Sequence, residues 1–335
     1  QDNNDLEVCD STNSNRVVIE GDIYTEYNEE IEGVEVNLGI PDLDATTDIE
    51  GNYAFGSMNP GGAYTIIPDK DTEHLNGVST LDLILIQQHI LGIERLDSPY
   101  KLIAADIDSN EEISAIDLIE LRKLILGIYS DYPKNASWRF IDALHTFADP
   151  QDPWIIAFPE VYEIPDLNSD MDIDFIGVKI GDVNGSVEAN SNIQEEDIDM
   201  QSPVVLQIDE QHLEIGETKN VDIFLKTQHS VKGWQGTLTF DPGSIEVAAL
   251  TSDVLEGFGQ DNYFIDQANG IITISYNAVD EIEWKEASTL FSIHVHALSN
   301  IDNTQLFELN SEVTYSEAYS VNDERLALRM ETRSI

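Results

Sequence analysis

The feature that most constrains the fold is an internal duplication of one helical segment. Residues 79–93 (STLDLILIQQHILGI) and 114–128 (SAIDLIELRKLILGI) share eight identities in fifteen positions, at an offset of 35 residues. Each segment begins with a serine suited to a helix N-cap and has a glycine, Gly92 or Gly127, suited to the position just past the helix. The repeat predicts one module built from two matching loop–helix units.

The loop before the second helix has oxygen-bearing side chains at alternate positions. Calcium prefers six to eight oxygen ligands, and residues 106–117 (DIDSNEEISAID) supply them from the loop and from the first turn of the helix. Glu111 stands where such loops usually have glycine, so we expect local backbone strain there. The alternative is a solvated acidic turn in front of a helix. The expected calcium ligands are Asp106, Asp108, Asn110, Glu112 through its carbonyl, Ser114 and Asp117.

Two further acidic loops have incomplete ligand sets for calcium. Residues 71–82 match the loop at 106–117 at the 35-residue offset, but Leu75 replaces the ligand at the fifth position of the loop. This loop is either a site filled at millimolar calcium or a remnant held by packing. The loop at 166–174 lacks a closing carboxylate, because the position after it that would supply one is Gly177. The candidate ligands are Asp71, Glu73, Ser79 and Asp82 in one loop, and Asp166, Asn168, Asp170 and Asp174 in the other.

Residues 71–128 resemble a type I dockerin, the module that binds cohesin domains, in loop spacing, helix caps and duplication. The resemblance implies calcium as the cofactor and a cohesin as the protein partner. Leu81 and Ile116 are then either apolar anchors for the partner or core residues, and Arg122 and Lys123 would meet an acidic surface. The partner-binding positions that the resemblance implies are Thr80, Leu81, Gln87, Gln88, Ala115, Ile116, Arg122 and Lys123.

The segments on either side of the duplication alternate apolar and polar residues, as half-buried strands do. Residues 16–68 include GVEVNL and GNYAFGSMNPGGAYTIIP, and they resemble the prealbumin-like sandwich of carboxypeptidase regulatory domains. Residues 202–335 include GWQGTLTFDP and STLFSIHVHAL, and they resemble a cohesin, the jelly-roll partner of dockerins. We therefore expect a mainly β fold with a central α module: a small prealbumin-like β-sandwich, a helical dockerin-like calcium-loop module and a cohesin-like jelly-roll β-sandwich.

The expected domain organisation follows from these patterns. The central module contains an irregular aromatic insertion at 129–165 and closes with a short helix-like piece, DFIGVKIGDVNGS, from Asp174. The order of the domains resembles that in large secreted surface proteins of marine and gliding Bacteroidetes. The boundaries are a tail or linker at 1–15, the first sandwich at 16–68, the dockerin-like module at 69–185, an acidic linker at 186–201 and the second sandwich at 202–335.

The charge of the chain restricts its partners and its surroundings. Sixty-five acidic residues face sixteen basic ones, which gives a net charge of −49. Such a surface repels nucleic acids and anionic membranes, attracts cations and keeps a protein soluble at high salt. There is no apolar stretch of the 18–20 residues that a membrane-spanning helix needs, and Cys9 is the single cysteine. The sequence shows no signal peptide, so we expect a secreted, extracellular or cell-surface protein from this character and not from a targeting signal.

Sequence motifs give no support to an enzyme. HExxH, GxSxG, GxGxxG and phosphate-loop patterns are absent from the sequence. We therefore expect a non-enzymatic, calcium-dependent structural or adhesive filament protein that assembles through dockerin–cohesin-type contacts. These contacts could close one chain on itself or join copies head-to-tail into fibres. The alternative is a docking or glycan-binding accessory region of a larger secreted hydrolase.

Overall fold

The computed structural model describes residues 16–39, 43–191 and 199–333. The predicted tail at 1–15, which contains Cys9, and residues 192–198 of the predicted acidic linker lie outside the described residues. The described part is mostly β-structure, with three α-helices in its middle. Within that part, no helix has both the length and the apolar character required to cross a membrane.

The secondary-structure elements fall into two groups separated by residues 192–198. The first group comprises β1 Val17–Tyr24, β2 Glu35–Asn37, β3 Asp44–Thr46, β4 Asn52–Met58, β5 Tyr64–Asp69, α1 Thr80–Leu91, α2 Pro99–Ala105, α3 Ala115–Ile125, β6 Trp138–Asp142, β7 Tyr162–Ile164, β8 Met171–Asp172 and β9 Phe175–Lys179. The second comprises β10 Asp199–Asp209, β11 Gln211–Leu213, β12 Thr218–Leu225, β13 His229–Thr239, β14 Ile245–Thr251, β15 Tyr263–Asp266, β16 Ile271–Trp284, β17 Thr289–Ala297, β18 Ile301–Thr304, β19 Glu308–Asn310, β20 Glu317–Ser320 and β21 Arg325–Arg333, with a 3₁₀ turn at Gln260–Asn262.

The nine strands β1 to β9 form a two-layer sandwich, called here the first sandwich. One sheet has the order β4-β1-β9-β6, with β8 paired to β1, and the other has the order β3-β2-β5-β7. Ile23 and Phe175 from the first sheet share a buried core with Val36 and Ile66 from the second. Alternate residues of β1 are buried, as the period of two in the sequence predicted.

Strands β6 to β9 lie in residues that the sequence analysis placed in the helical module. They complete the first sandwich instead, because β1 pairs in parallel with β9 and β5 pairs with β7. The segment from Asp174 was expected to be helix-like, and that prediction was wrong: its residues form β9. A short apolar run fits either a helix or a strand by its pattern alone, and here pairing with β1 and β6 selects the strand.

Strand β9 joins the first sandwich to the three helices, which we call the helical module. Phe175 lies in the core of the sandwich, whereas Val178 packs with Leu83 of α1 and Leu121 of α3 in the core of the module. Successive side chains of a strand point to opposite faces of its sheet, so one strand can serve both cores. The helical module therefore packs on an outer face of the first sandwich.

The predicted helix caps are confirmed. Ser79 and Ser114 are the N-caps of α1 and α3, and each forms a capping box with the aspartate three residues later, Asp82 or Asp117. Gly92, directly after α1, has a φ of +68°, in the left-handed region that glycine favours. The two halves of the duplication thus begin in the same way.

Residues 199–333 form a second two-layer unit, called here the C-terminal sandwich. Its main sheet runs β14-β17-β12-β10-β21-β20-β13-β16-β15, with β19 paired to β13, and β11 pairs with β18. Trp234 of β13 nevertheless stacks on Phe291 of β17, with ring centroids 5.5 Å apart. Strands distant in the order of the sheet therefore face each other, and the sheet folds over a single core.

Candidate functional site

Three carboxylates converge in the loop that precedes α3. Asp106, Asp108 and Asp117 are all buried, and an oxygen of each lies within 4.8 Å of an oxygen of the others. Across the described part of the chain, this is the one group of three or more acidic, histidine or cysteine side chains that meets this criterion. The structure thus brings together the first, second and last of the six ligands predicted for this loop.

Backbone N–H groups of the loop hold Asp117 in place. Its Oδ1 accepts hydrogen bonds from the amides of Ile107 at 2.9 Å and Asp108 at 3.2 Å, and its Oδ2 accepts one from Ser114 at 2.8 Å. The first turn of α3 is therefore fixed to the loop. A carboxylate that accepts several N–H bonds has one orientation, which is what a ligand site requires.

Asp106 at the start of the loop is held in the same manner. Its two oxygens accept hydrogen bonds from the amides of Asn110 and Glu111, each at 2.9 Å. Glu111 has a φ of +67°, and Ser109 has a φ of +55°, so both lie in the left-handed region. The strain predicted at Glu111 is confirmed, because a side chain there disfavours this conformation.

The electrostatics of the three carboxylates favour a cation. Burial raises the pKa of Asp106 and Asp117; the N–H bonds oppose this shift, and the neighbouring carboxylates add to it. Asp108 is 8% exposed, and its Oδ1 accepts no hydrogen bond from any described residue. Lys134 Nζ lies 3.0 Å from Asp108 Oδ2. A buried, incompletely paired group of oxygens fits a hard cation such as calcium.

The remaining predicted ligands of this loop occupy its rim. Asn110 Oδ1 accepts the amide of Glu112 at 2.8 Å, and Glu112 is exposed. Ser114 caps α3 by accepting the amide of Ile116 at 3.2 Å. In the geometry described, these three residues shape the turn, while the aspartates supply the converging charge.

The loop at 71–82 does not gather its predicted ligands. Asp71 is exposed and accepts the amide of Ser137 at 2.7 Å, and Glu73 is exposed with a φ of +54°. Ser79 caps α1, and only Asp82 is fully buried. Its Oδ1 accepts the amide of Val183 at 2.9 Å. Two of the expected carboxylates therefore face solvent.

The third loop, at 166–174, supports a strand. Asp170 Oδ1 accepts the amide of Val18 at 2.9 Å, and Asp174 Oδ1 accepts the amide of Asp22 at 2.8 Å, so both fasten β1. Asp166 and Asn168 are exposed, and the side-chain Nδ2 of Asn168 donates to the backbone carbonyl of Asp166 at 3.4 Å. The four predicted ligands do not converge in this geometry.

A second candidate site is the contact between the helical module and the C-terminal sandwich, called here the docking interface. At the N-terminus of α1, the amide of Thr80 donates to Gln235 Oε1 at 2.7 Å, and its hydroxyl shares a hydrogen bond of 2.6 Å with Ser275. Gln235 in turn donates to the carboxylate of Glu317 at 3.1 Å, and all four residues are buried. A helix N-terminus has a partial positive charge, which an acceptor and a nearby carboxylate complement.

The C-terminus of α3 meets donors on the same sandwich. The Thr314 hydroxyl donates to the carbonyl of Ile125 at 2.7 Å, and the Thr273 hydroxyl donates to the carbonyl of Leu126 at 2.6 Å. Both threonines are buried. The last carbonyls of a helix lack partners within the helix, so these two hydroxyl groups satisfy them. The sandwich thus supplies acceptors to one helix end and donors to another.

Apolar and polar contacts complete the docking interface. Leu81 and Ile84 of α1 form a buried cluster with Tyr319 of β20. Asn277 of β16 accepts a hydrogen bond from Arg122 and donates one to Gln87 Oε1 at 2.9 Å.

The predicted partner-binding residues divide into two sets. Four of them, Thr80, Leu81, Gln87 and Arg122, contact the C-terminal sandwich of the same chain. The other four are placed differently. Gln88 is buried, Ala115 and Ile116 are exposed, and Lys123 pairs with Glu120 at 2.9 Å.

Several residues of the docking interface were missed by sequence reasoning. Ile84 lies one helical turn after Thr80, and this i, i+4 spacing was a usable signal. Gln235, Thr273 and Thr314 lie on strands or a loop of a sandwich, and nothing in their local sequence indicates a partner. Their role becomes visible only when the two units are in contact.

Comparison with known proteins gives structural neighbours alone, since no family model and no curated protein matches this chain. These neighbours are cohesin domains and cohesin–dockerin complexes. A chain from a type I cohesin–dockerin complex of Clostridium thermocellum is 14% identical, covers 40% of this chain and 100% of its own length, and has a TM-score of 0.32. The cohesin CaCohA2 of Clostridium acetobutylicum is 12% identical over 39% of this chain and 86% of its own, with a TM-score of 0.32. The seventh ScaB type I cohesin of Pseudobacteroides cellulosolvens is 11% identical over 40% and 92%, with a TM-score of 0.30.

Proposed function

We propose that this chain is a non-enzymatic, calcium-dependent extracellular structural protein whose helical module docks on a C-terminal sandwich. The observation that carries the proposal is the matched polarity of the docking interface. Gln235 receives the amide at the N-terminus of α1, and the hydroxyl of Thr314 serves a carbonyl at the C-terminus of α3. An accidental contact would leave buried helix ends without partners, at a cost of about 1–3 kcal/mol each.

Calcium would act on docking through α3. This helix begins at the loop that holds the three aspartates, where Asp117 lies in its first turn, and it ends at the docking interface. In the proposal, Asp106, Asp108 and Asp117 hold the ion, with oxygens from the rim of the loop. The ion neutralises the carboxylates and so fixes the start of α3. Chelation would then loosen the end of α3 that contacts the sandwich.

The same contact offers a route to assembly. Within one chain it gives a closed monomer, and exchanged between copies it joins the helical module of one chain to the C-terminal sandwich of the next. Such a head-to-tail contact is heterologous and forms rings or filaments. We propose the closed chain as the resting form and exchange between copies as the route to fibres.

Calorimetry tests the calcium part of the proposal. We expect the chain, stripped of metal with a chelator, to bind calcium, and Asp117→Asn to lose this binding. Asp71→Asn is the control, because it makes the same substitution at an exposed aspartate in the other half of the duplication. Equal affinity of the parent and the Asp117→Asn variant would refute the site.

Crosslinking tests docking and its exchange. In a Cys9→Ser background, Gln87→Cys and Asn277→Cys place two thiols at residues whose side chains are hydrogen-bonded. A short bis-maleimide should link them within one chain in calcium and more slowly with a chelator. Mixing copies labelled with light and heavy isotopes then reports exchange as mixed-mass dimers. The docking proposal fails if neither an intrachain nor an interchain link forms.

A further inference from the structure

A buried ion pair lies inside the C-terminal sandwich, next to the docking interface. Glu317 of β20 is 2% exposed, and its Oε2 accepts a hydrogen bond from Arg325 Nε of β21 at 2.8 Å. The two strands are antiparallel neighbours, so the sandwich supplies both partners itself. A carboxylate that is paired with a guanidinium in this way accepts hydrogen bonds and donates none. Its other oxygen can therefore orient a neighbouring donor.

This other oxygen orients the side chain of Gln235. Glu317 Oε1 accepts hydrogen bonds from Gln235 Nε2 at 3.1 Å and from the Tyr319 hydroxyl at 2.7 Å. Gln235 in β13 lies directly opposite Glu317 in β20. A glutamine amide has a donor end and an acceptor end. Because the donor end of Gln235 faces a carboxylate, its acceptor end points away from Glu317 and towards α1.

The acceptor end of Gln235 meets a helix amide that has no partner within its own helix. Thr80 is the first residue of α1, and its N–H donates to Gln235 Oε1 at 2.7 Å. With the amide of Gln235 reversed, two donors would face each other at a buried contact, and the N–H of Thr80 would be unsatisfied. The contact between the hydroxyls of Thr80 and Ser275 gives no such discrimination, because either hydroxyl can donate.

We propose that Glu317 is a positioning residue of the docking interface, which holds the amide of Gln235 so that the C-terminal sandwich accepts a helix N-terminus. The carboxylate, its guanidinium partner and the amide all belong to the sandwich, so the acceptor is oriented before docking, which lowers the entropy cost of the contact. The same orientation rejects a helix C-terminus at this position, because free carbonyls would meet the oxygen of Gln235. The inference deepens the proposed function and rests on the docking of the helical module.

An exchange of the two side chains tests the inference in the full chain. Glu317→Gln gives a neutral side chain of the same size that can donate or accept, so Gln235 is no longer held in one orientation. Gln235→Glu alone sets two carboxylates opposite each other in neighbouring strands, which is unfavourable. The double variant, Gln235→Glu with Glu317→Gln, again presents an acceptor to Thr80 with a donor behind it. It therefore restores the orientation without restoring the ion pair of Arg325.

Hydrogen exchange in the peptide containing Thr80, measured by mass spectrometry in calcium, reports the contact. We expect each single variant to raise the exchange rate of this peptide about 5-fold or more, and the double variant to recover most of the protection. Glu331→Gln is the matched control, because it makes the same substitution at an exposed ion pair with Lys226 in the same sandwich, and it should leave the exchange unchanged. Peptides from β12 report the stability of the sandwich itself.

The outcomes separate this inference from the proposed function. A double variant that exchanges as fast as Glu317→Gln would overturn the inference, because Glu317 would then act only as the structural partner of Arg325. Single variants that exchange like the parent in the Thr80 peptide would also overturn it, and would leave docking intact. A parent chain whose Thr80 peptide exchanges at the rate of an unstructured peptide would refute docking and the inference together.

Discussion

Truncation of Ile84 tests the docking interface most directly, because the duplication supplies its own control. Ile84 is 1% exposed and packs with Leu81 and Tyr319, whereas Ile119, its equivalent 35 residues later, is 51% exposed. Replacement of a buried isoleucine by alanine typically costs about 2–5 kcal/mol, and replacement of an exposed one costs about 0.5 kcal/mol or less. The same substitution in the same kind of helix should therefore have very different effects.

The amide of Thr80 is a suitable reporter for this experiment. It donates to Gln235 across the docking interface, so it should exchange with solvent only when docking opens. A loss of about 2 kcal/mol corresponds to an increase in exchange rate of about 30-fold. Hydrogen exchange measured by mass spectrometry should show this increase in the peptide containing Thr80 for Ile84→Ala, with little change for Ile119→Ala.

The result that would refute this reasoning is equally specific. If Ile84→Ala and Ile119→Ala give the same exchange in that peptide, the C-terminal sandwich does not cover α1 in solution. An increase in exchange throughout the chain would indicate general unfolding. Peptides from the first sandwich, such as those containing β4, therefore serve as the internal reference.

Three further predictions concern the loop and the interface. Lys134→Met should tighten calcium binding a few-fold in calorimetry, because an ammonium that contacts Asp108 competes with the ion; weaker binding would contradict this. Thr314→Val should weaken docking by about 1 kcal/mol, since the carbonyl of Ile125 loses its hydrogen-bond donor, and hydrogen exchange in the peptide containing Thr80 should become faster accordingly. Chelation of calcium should increase hydrogen exchange in residues 106–125 more than in β4, and a uniform response would argue against a local site.

The sequence predicted local features of the helical module well. Capping serines, the loop that gathers Asp106 and Asp117, and strain at Glu111 all follow from short-range spacing, and the structure has them. Such features depend on neighbouring residues, whose geometry is set by helix and turn rules. The strand character of 16–68 was likewise visible in its alternating pattern.

Long-range pairing was beyond the sequence. Strand β9 lies more than 150 residues from its partner β1, and no local pattern indicates which strand completes a sheet. The hydrogen bond from Lys179 of β9 to the carbonyl of His74, about a hundred residues earlier, was missed for the same reason. A run such as FIGVKI satisfies either period, so only its partners decide between helix and strand.

The docking interface also fixes how the helices must be arranged. Thr273 and Ser275 are two residues apart in β16, so their side chains project from the same face of the sheet. One contacts the last turn of α3, and the other contacts the first turn of α1. The C-terminus of α3 must therefore lie beside the N-terminus of α1, as it does when the two helices run antiparallel. The face of the sandwich that contains Thr273 and Ser275 selects this arrangement. Two parallel helices would place two N-termini or two C-termini side by side over these residues, and one of the two ends would then lack a suitable partner.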